Sequence, residues 1–499
     1  MTVKLNGNSL SVGKTVAVSR KKEEIEISNE ALEKVKSSRE SLEERIEDGD
    51  TIYGVNTGFG DLADQTIDNN QIEKLQQNII ESHSCGVGAT LSEEEARALM
   101  LLRLNSLLMG NSGVRVKTVQ TIKDALNKEI YPFIPRKGSV GASGDLAPLS
   151  HMVLALTGRG KVREEDKWVL SRNVLRKNGI TPLELKEKEG LALVNGTNFM
   201  AALGCLALYD AKKLADAADL AGALALEAMK GIEDAFKEEI HNLRPHEGQK
   251  ETAENIRELV KHSQLVQYSS DDTRVQNSYS LRCIPQIHGA TRDVISFVEE
   301  KLETEINSVT DNPLILEDGQ VVSGGNFHGQ PLALSLDSLK NAVAELANVS
   351  ERRTAKLVDG NNNFDLPSFL IEDGGLNSGL MIPQYTAASL VSENKVLTHP
   401  SSTDSVPTSA NQEDHVSMGA NSANHLAEVV ENTMTVISIE IFSSYQALYH
   451  REKSPGKGTS QAIKELNEEI NPVDEDRVIR DDFLKVKSML KKETLTKIV

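Results

Sequence analysis

Several large classes of protein are excluded by what this chain lacks. Its three cysteines, Cys85, Cys205 and Cys283, are odd in number, far apart and in no C-x-x-C pair. That argues against a disulfide framework or a zinc ribbon, and for a reducing compartment. Aromatic residues make up 4% of the chain and Trp168 is the single tryptophan, so the core has to be aliphatic. No run approaches the roughly 18 apolar residues that cross a bilayer. The first residues, MTVKLNGNSLSVGKTVAV, carry no apolar stretch of the secretory kind. Both absences predict a cytoplasmic protein without a membrane partner. Positive charge is in deficit: the formal net charge is −19, and lysines and arginines are scattered among acidic residues, which excludes a nucleic-acid footprint. The eleven histidines include no H-E-x-x-H, so no metal site is expected.

What is present is helix. The length suggests about three domains, or one large helical body with appendages. Between Asn198 and Lys230 there is neither proline nor a β-branched residue, and Leu203, Leu206, Leu214, Ala217, Leu220, Leu224 and Ala228 follow a helical period. Gly204 and Gly222 inside this helix either permit a close helix contact or are a tolerated cost. A second helix is expected over about 289–308, using Val294, Val298 and Leu302. In a third, Leu332, Leu336, Leu339, Val343 and Leu346 alternate steps of four and three. A fourth covers about 422–450. The predicted fold is mostly α, a long-helix bundle core with a smaller mixed N-terminal region. It divides into 1–197, a bundle over 198–450, and a C-terminal tail and helix over 451–499, in which the polar stretch 451–475 is expected to be a loosely packed segment or loop. Residues 1–27 suggest a small hairpin. A helix is expected over 29–47, and Ser92 to Glu95 reads as a capping box opening a helix through Leu108.

Three motif matches fail. Gly7 to Thr15 has five residues between its glycines where a phosphate-binding loop has four. Ser143 lies in no G-x-S-x-G, because position 145 is Asp. Asn195-Gly196-Thr197 is a formal glycosylation sequon without meaning in a cytosolic chain.

The stretch GSVGASGDLAPLSHM, residues 138–152, is different. A backbone amide can attack the carbonyl two residues back only through a tight turn, which glycine at the attacking position permits. At Ala142-Ser143-Gly144 such an attack, with loss of the Ser143 hydroxyl as water, makes an imidazolone bearing an exocyclic methylene, a strong electrophile. The plain alternative is a flexible glycine loop closed by an Asp145 helix cap.

Ala142-Ser143-Gly144 in this setting resembles the self-processing segment of the aromatic amino acid ammonia-lyase family. The resemblance runs along essentially the whole chain: Tyr53 to Gly60 (YGVNTGFG), Leu193 to Thr197 (LVNGT), Tyr279 to Cys283 (YSLRC), Thr310 to Pro313 (TDNP), Gly325 to Gly329 (GNFHG) and Asn411 to His415 (NQEDH). Six motifs in the family's order are jointly specific. The resemblance implies an ammonia-lyase/fumarase-like helical fold, a methylidene-imidazolone (MIO) group formed from Ala142, Ser143 and Gly144 with no external cofactor, and a homotetramer whose sites combine residues of several subunits. It also implies roles: Tyr53 as the base, Tyr279 supporting the electrophile and proton traffic, Arg282 pairing with a substrate carboxylate, Asn195 and Gln276 donating hydrogen bonds, and Phe327 stacking nearby. An unperturbed phenol titrates near ~10, so Tyr53 needs a lowered pKa or a coupled acceptor.

Ser82-His83 and Glu413 resemble the histidine-acting members. A carboxylate facing the substrate ring suits an imidazole and would be left unpaired by a phenyl ring. The implied reaction is deamination of L-histidine to trans-urocanate and ammonia. The alternatives are a tyrosine or phenylalanine ammonia-lyase, an aminomutase, or a non-catalytic helical scaffold. For His83 the plain reading is a satisfied loop histidine, for Phe327 and Tyr279 core packing, for Glu413 a surface carboxylate. Three positions depart from the pattern: Asn277-Ser278 where Asp-Pro is frequent, and Asp61 where Lys is common.

Overall fold

The long apolar-periodic segments become the long helices. In a computed structural model, which describes residues 2–62, 64–267 and 275–499, they are Asn198–Ala228, Ile284–Glu305, Gln330–Val358 and Gly419–Tyr449. The second begins ahead of the expected Gly289. Pro285 stands in its first turn, where a missing N–H has no intrahelical partner to lose. Two-stranded sheets are the only sheets among the described residues. No helix among them is long and apolar enough to cross a membrane.

Contacts group the chain into two compact units. One holds Met1–Tyr209, Glu299–Asp337 and Pro400–Asn424; the other holds Asp210–Val298, Ser338–His399 and His425–Val499.

In the first unit the expected N-terminal hairpin is not formed. Strands Thr2–Leu5 and Glu24–Ile27 pair in parallel, Thr2 opposite Glu24 through Leu5 opposite Ile27, and helix Val12–Arg20 makes the crossover. The β-branched residues from Thr15 to Val18 favour a strand, but here the Ser11 hydroxyl caps Lys14 N–H, and Val12, Val16 and Ser19 are buried along one helical face. Burial on that face overrides local propensity. The face packs on helix Glu93–Leu107, which begins with the expected capping box: Glu95 N–H donates to Ser92 Oγ at 3.3 Å and Ser92 N–H to Glu95 Oε2 at 2.8 Å. Two arginines lie fully inside this unit. Arg97 donates to Val18 O and Leu126 O, both at 2.9 Å, in the last turns of two helices where exposed carbonyls favour a cation. The second, Arg103, belongs to the site. Gly204 proves to be a packing glycine: a Cβ there would lie 2.8 Å from Leu336 Cδ2 and 3.1 Å from Leu302 Cδ2.

In the second unit Gly222 plays the same part, with Ile284 Cδ1 2.9 Å from where its Cβ would be. The polar tail is not loose. Helix Lys457–Glu469 buries Thr459, Ala462 and Leu466 and packs on helix Glu247–Leu259. Its buried residues at i, i+3 and i+7 form a narrow stripe that the charged composition hides.

Candidate active site

The glycine-rich stretch is a built element, not a free loop. Gly141 and Gly144 have φ of +68° and +71°, where a side chain is strained. At Gly144 there is no room either: a Cβ would sit 2.4 Å from Gly196 O. Gly144 bridges Gly196 in parallel, and Asp145 N–H donates to Gly196 O at 2.7 Å. On the other side Ser417 Oγ donates to Gly141 O at 2.8 Å and Met418 N–H to Val140 O at 2.8 Å. Ala142 packs with Val140, Val416 and Met418. The tight turn expected from the glycines is therefore clamped from both sides.

Asp145 stands at the N-cap position of helix Leu146–Leu156, but its side chain makes no capping hydrogen bond there. Its Oδ2 accepts from Phe199 and Met200 N–H at 3.0 and 3.1 Å, in the first turn of helix Asn198–Ala228. Its Oδ1 accepts from Ser139 Oγ at 2.8 Å, and Gly141 N–H donates to the same hydroxyl at 3.1 Å. Burial pushes the Asp145 carboxyl up to about 7, against the opposing pull of the Met200, Ser139 and Phe199 hydrogen bonds.

Asn195 ends the short helix Glu189–Val194 and faces Ser143. Its amide Nδ2 donates to Ser143 O at 2.7 Å and lies 3.1 Å from Ser143 Oγ. Its Oδ1 is buried and accepts nothing among the described residues, so this amide addresses the serine and little else. Three residues that hold Asn195 in place were missed in the sequence. Arg103 donates to Asn195 O at 3.0 Å and Asn198 Oδ1 at 2.9 Å, and also to Ala192 O. Gln76, fully buried, accepts from Gly190 N–H at 2.9 Å and donates to Gly54 O at 3.1 Å, linking the start of the Asn195 helix to the Tyr53 loop. Lys188 pairs with Asp311 of the TDNP motif at 2.7 Å with both side chains buried. Only Arg103 left a signal in the sequence, a guanidinium inside an otherwise apolar run; Gln76 and Lys188 sit among polar neighbours and left none.

The Tyr53 hydroxyl accepts from Gly60 N–H at 3.0 Å, and its ring meets Phe59 edge-on at 6.4 Å. The turn at Gly60–Leu62 packs against the turn at Ser409–Asn411. Glu413 follows that second turn, where Thr408 Oγ1 donates to its carboxylate at 2.5 Å. His83 closes helix Ile72–His83, its Nδ1 2.9 Å from Ser82 Oγ. Burial lowers the His83 pKa, while a backbone hydrogen bond at Ile79 and the charge of Glu413 raise it. Phe327 is half-buried. Beside it His328 stacks on His415 at 5.5 Å and its Nε2 lies 3.1 Å from His415 O, joining the GNFHG and NQEDH motifs.

Tyr53, His83, residues 142–144, Asn195, Phe327 and Glu413 all belong to the first unit. Gln276, Tyr279 and Arg282 belong to the second and form a cluster of their own. The Arg282 guanidinium lies over the Tyr279 ring, 4.8 Å from its centroid, and Nη1 donates to Gln276 Oε1. Its Nε is buried without an acceptor among the described residues, and Tyr279 is 70% exposed. Packing does not account for a tyrosine so exposed.

Residues 10–468 match the family model described as aromatic amino acid lyase. The chain belongs to this family. Among aromatic amino acid lyases similar to it, the histidine ammonia-lyase of Caldanaerobacter subterraneus subsp. tengcongensis is 51% identical over 483 residues, 96% of this chain and 95% of that protein. The histidine ammonia-lyase of Bacillus subtilis is 48% identical over 495 residues, 99% and 97% of the two. The crystal structure of histidine ammonia-lyase from Trypanosoma cruzi superposes with a TM-score of 0.93 at 42% identity, covering 100% of this chain and 95% of that one. A tyrosine aminomutase from Streptomyces globisporus superposes with a TM-score of 0.96 at 36% identity, covering 100% and 98%. The fold is common to members with different named substrates, so substrate choice has to come from side chains.

Proposed function

We propose that this aromatic amino acid lyase is a cytoplasmic homotetramer that deaminates L-histidine to trans-urocanate and ammonia. The observation that carries the substrate is the presence of His83 and Glu413 in one compact unit, an imidazole and a carboxylate whose hydrogen-bonding groups suit an imidazole ring. Identity near one half to histidine ammonia-lyases over almost the full chain supports it.

The residues around Ser143 fit an imidazolone. Ring closure joins Gly144 N to the Ala142 carbonyl carbon and expels that oxygen as water; Ser143 Oγ and the Cα proton leave as a second water. The positive φ of Gly141 and Gly144 gives the turn, and Asn195 Nδ2 at 2.7 Å stabilises negative charge on Ser143 O as the Cα proton departs. The finished group supplies an electrophilic methylene that turns the substrate amine into a better leaving group.

The remaining work falls to side chains. Arg282, stacked on Tyr279, presents its guanidinium to the substrate carboxylate. Glu413 and His83 hold the imidazole and set its depth. Tyr53, held by Gly60, takes the weakly acidic β-carbon proton, with Gln276, Tyr279 and Phe327 shaping the space around the amine. Purified protein incubated separately with L-histidine, L-tyrosine and L-phenylalanine tests the proposal. Near-UV absorbance of urocanate and free ammonia are expected from L-histidine alone; cinnamate or coumarate without urocanate would overturn it. The intact mass should fall short of the sequence mass by two waters, and Ser143→Ala should abolish both the deficit and the activity.

A further inference from the structure

We infer that Asn277 is a positioning residue, clipping the segment that carries Gln276, Tyr279 and Arg282 to the backbone of Ile232. The inference rests on the reading above, in which Arg282 and Tyr279 meet the substrate.

Ile232 makes an isolated parallel bridge with Gln267 just ahead of the turn Glu233–Phe236, which leaves it a second edge. On one edge Gln267 N–H donates to Gly231 O at 2.8 Å and Glu233 N–H donates to Gln267 O at 3.0 Å. The N–H and C=O of Ile232 point to the other edge, and Asn277 takes both. Ile232 N–H donates to Asn277 Oδ1 at 3.0 Å, and Asn277 Nδ2 donates to Ile232 O at 2.8 Å. Asn277 and Ile232 are 8% and 4% exposed, so water does not replace either bond. A planar carboxamide offers one donor and one acceptor side by side, as a neighbouring strand would. A carboxylate has two acceptors and leaves Ile232 O facing a like charge. The amide is therefore required at this position in this chain.

The short helix Tyr279–Arg282 depends on this clip. It is a single turn, and two of its amides, Leu281 and Arg282, bond back to Ser278 O at 3.1 and 2.8 Å. A single turn does not hold itself in water. It is fixed at one end by Asn277, next to Ser278, and from beneath by buried Arg353, whose Nη1 donates to Ser280 O at 3.3 Å. Arg353 is itself held by Glu440 at 2.9 Å and is 3.3 Å from His288 Nε2. These two anchors, with helix Ile284–Glu305 following directly after Cys283, set the direction of a half-exposed Arg282 and an exposed Tyr279.

Asn277→Leu removes both bonds, and Asn277→Asp removes only the donor. In the full-length protein, KM for L-histidine is expected to rise about a hundredfold for Leu and about tenfold for Asp, as buried backbone groups are left unpaired, with kcat changing less. Hydrogen exchange should accelerate at amides 278–283, and the two-water mass deficit should stay intact. The inference is overturned if KM stays within twofold of the parent in both variants, if kcat falls at constant KM, or if exchange at 278–283 is unchanged. Loss of the mass deficit would also overturn it, placing the effect at Ser143. If the Leu protein does not fold, the Asp protein decides. A parent that makes no urocanate removes the functional reading, and exchange at 278–283 still tests the clip.

Discussion

Asp145 Oδ2 accepts the backbone N–H of Phe199 at 3.0 Å across 54 residues of sequence. One carboxylate thereby joins the reactive turn to the start of the helix Asn198–Ala228, whose dipole favours a negative charge at that end. The same carboxylate orders Ser139, which holds Gly141 N–H at 3.1 Å. A residue whose neighbours suggest a local cap is instead the tie between the turn and the helix.

The tie has a pH signature. With its pKa raised from 3.8 to about 7, Asp145 binds its proton more tightly folded than unfolded. Its contribution to stability is complete below pH ~4 and is lost as pH rises through ~7, by an amount on the order of 4 kcal/mol. A carboxamide in its place would keep an acceptor for Phe199 and Met200 without titrating. In Asp145→Asn the fall of melting temperature between pH 5 and 7 is expected to flatten; equal slopes for variant and parent would refute the assignment.

Gly144→Ala meets two obstacles at once, a φ of +71° and Gly196 O at 2.4 Å from the new Cβ. The backbone has to move by more than the turn allows, and strain of several kcal/mol falls on the atoms that must cyclise. The variant is expected to retain the full sequence mass, or a small fraction of the two-water deficit, at near-parental helix content by circular dichroism.

The long helices were legible because Leu and Ala at steps of three and four leave one reading, and the capping box at Ser92 because its two partners are three residues apart. The N-terminal crossover was not legible, because Thr15 to Val18 carries strand propensity and becomes helix only when Glu93–Leu107 covers it. The stripe in Lys457–Glu469 is diluted by charge in the same way. At the site, motifs point to the residues but not to their supports. Gln76 and, for the most part, Arg103 act through backbone atoms brought near by folding, which leave no pattern in side-chain identity, and Lys188 pairs with an Asp311 far away in sequence. Likewise Asn277 could be seen as a departure, while its partner Ile232 could not.

Arg103 makes the strongest case among those supports. Its buried guanidinium serves Asn195 O, Asn198 Oδ1 and Ala192 O, and burial depresses its pKa to about 10 even with the charge of Asp311 opposing. Arg103→Met leaves these acceptors unpaired and frees Asn195. A loss of about 3–5 kcal/mol is expected, read as a lower midpoint in urea, together with slower loss of the two waters after synthesis, followed by intact mass over time.

Glu413→Gln tests the substrate side. The carboxylate raises the His83 pKa against burial, so removing its charge lets the pKa fall further. The pH midpoint for reaction of His83 with diethyl pyrocarbonate, followed on the His83 peptide by mass spectrometry, should move to lower pH. Substrate imidazole loses a charge-assisted partner worth about 1.5–3 kcal/mol, so kcat/KM for L-histidine should fall about ten- to a hundredfold. Any slow turnover of L-phenylalanine, which has no ring N–H to offer, should stay level or rise. A parental kcat/KM for L-histidine would separate Glu413 from the imidazole and return it to the role of an ordinary loop carboxylate.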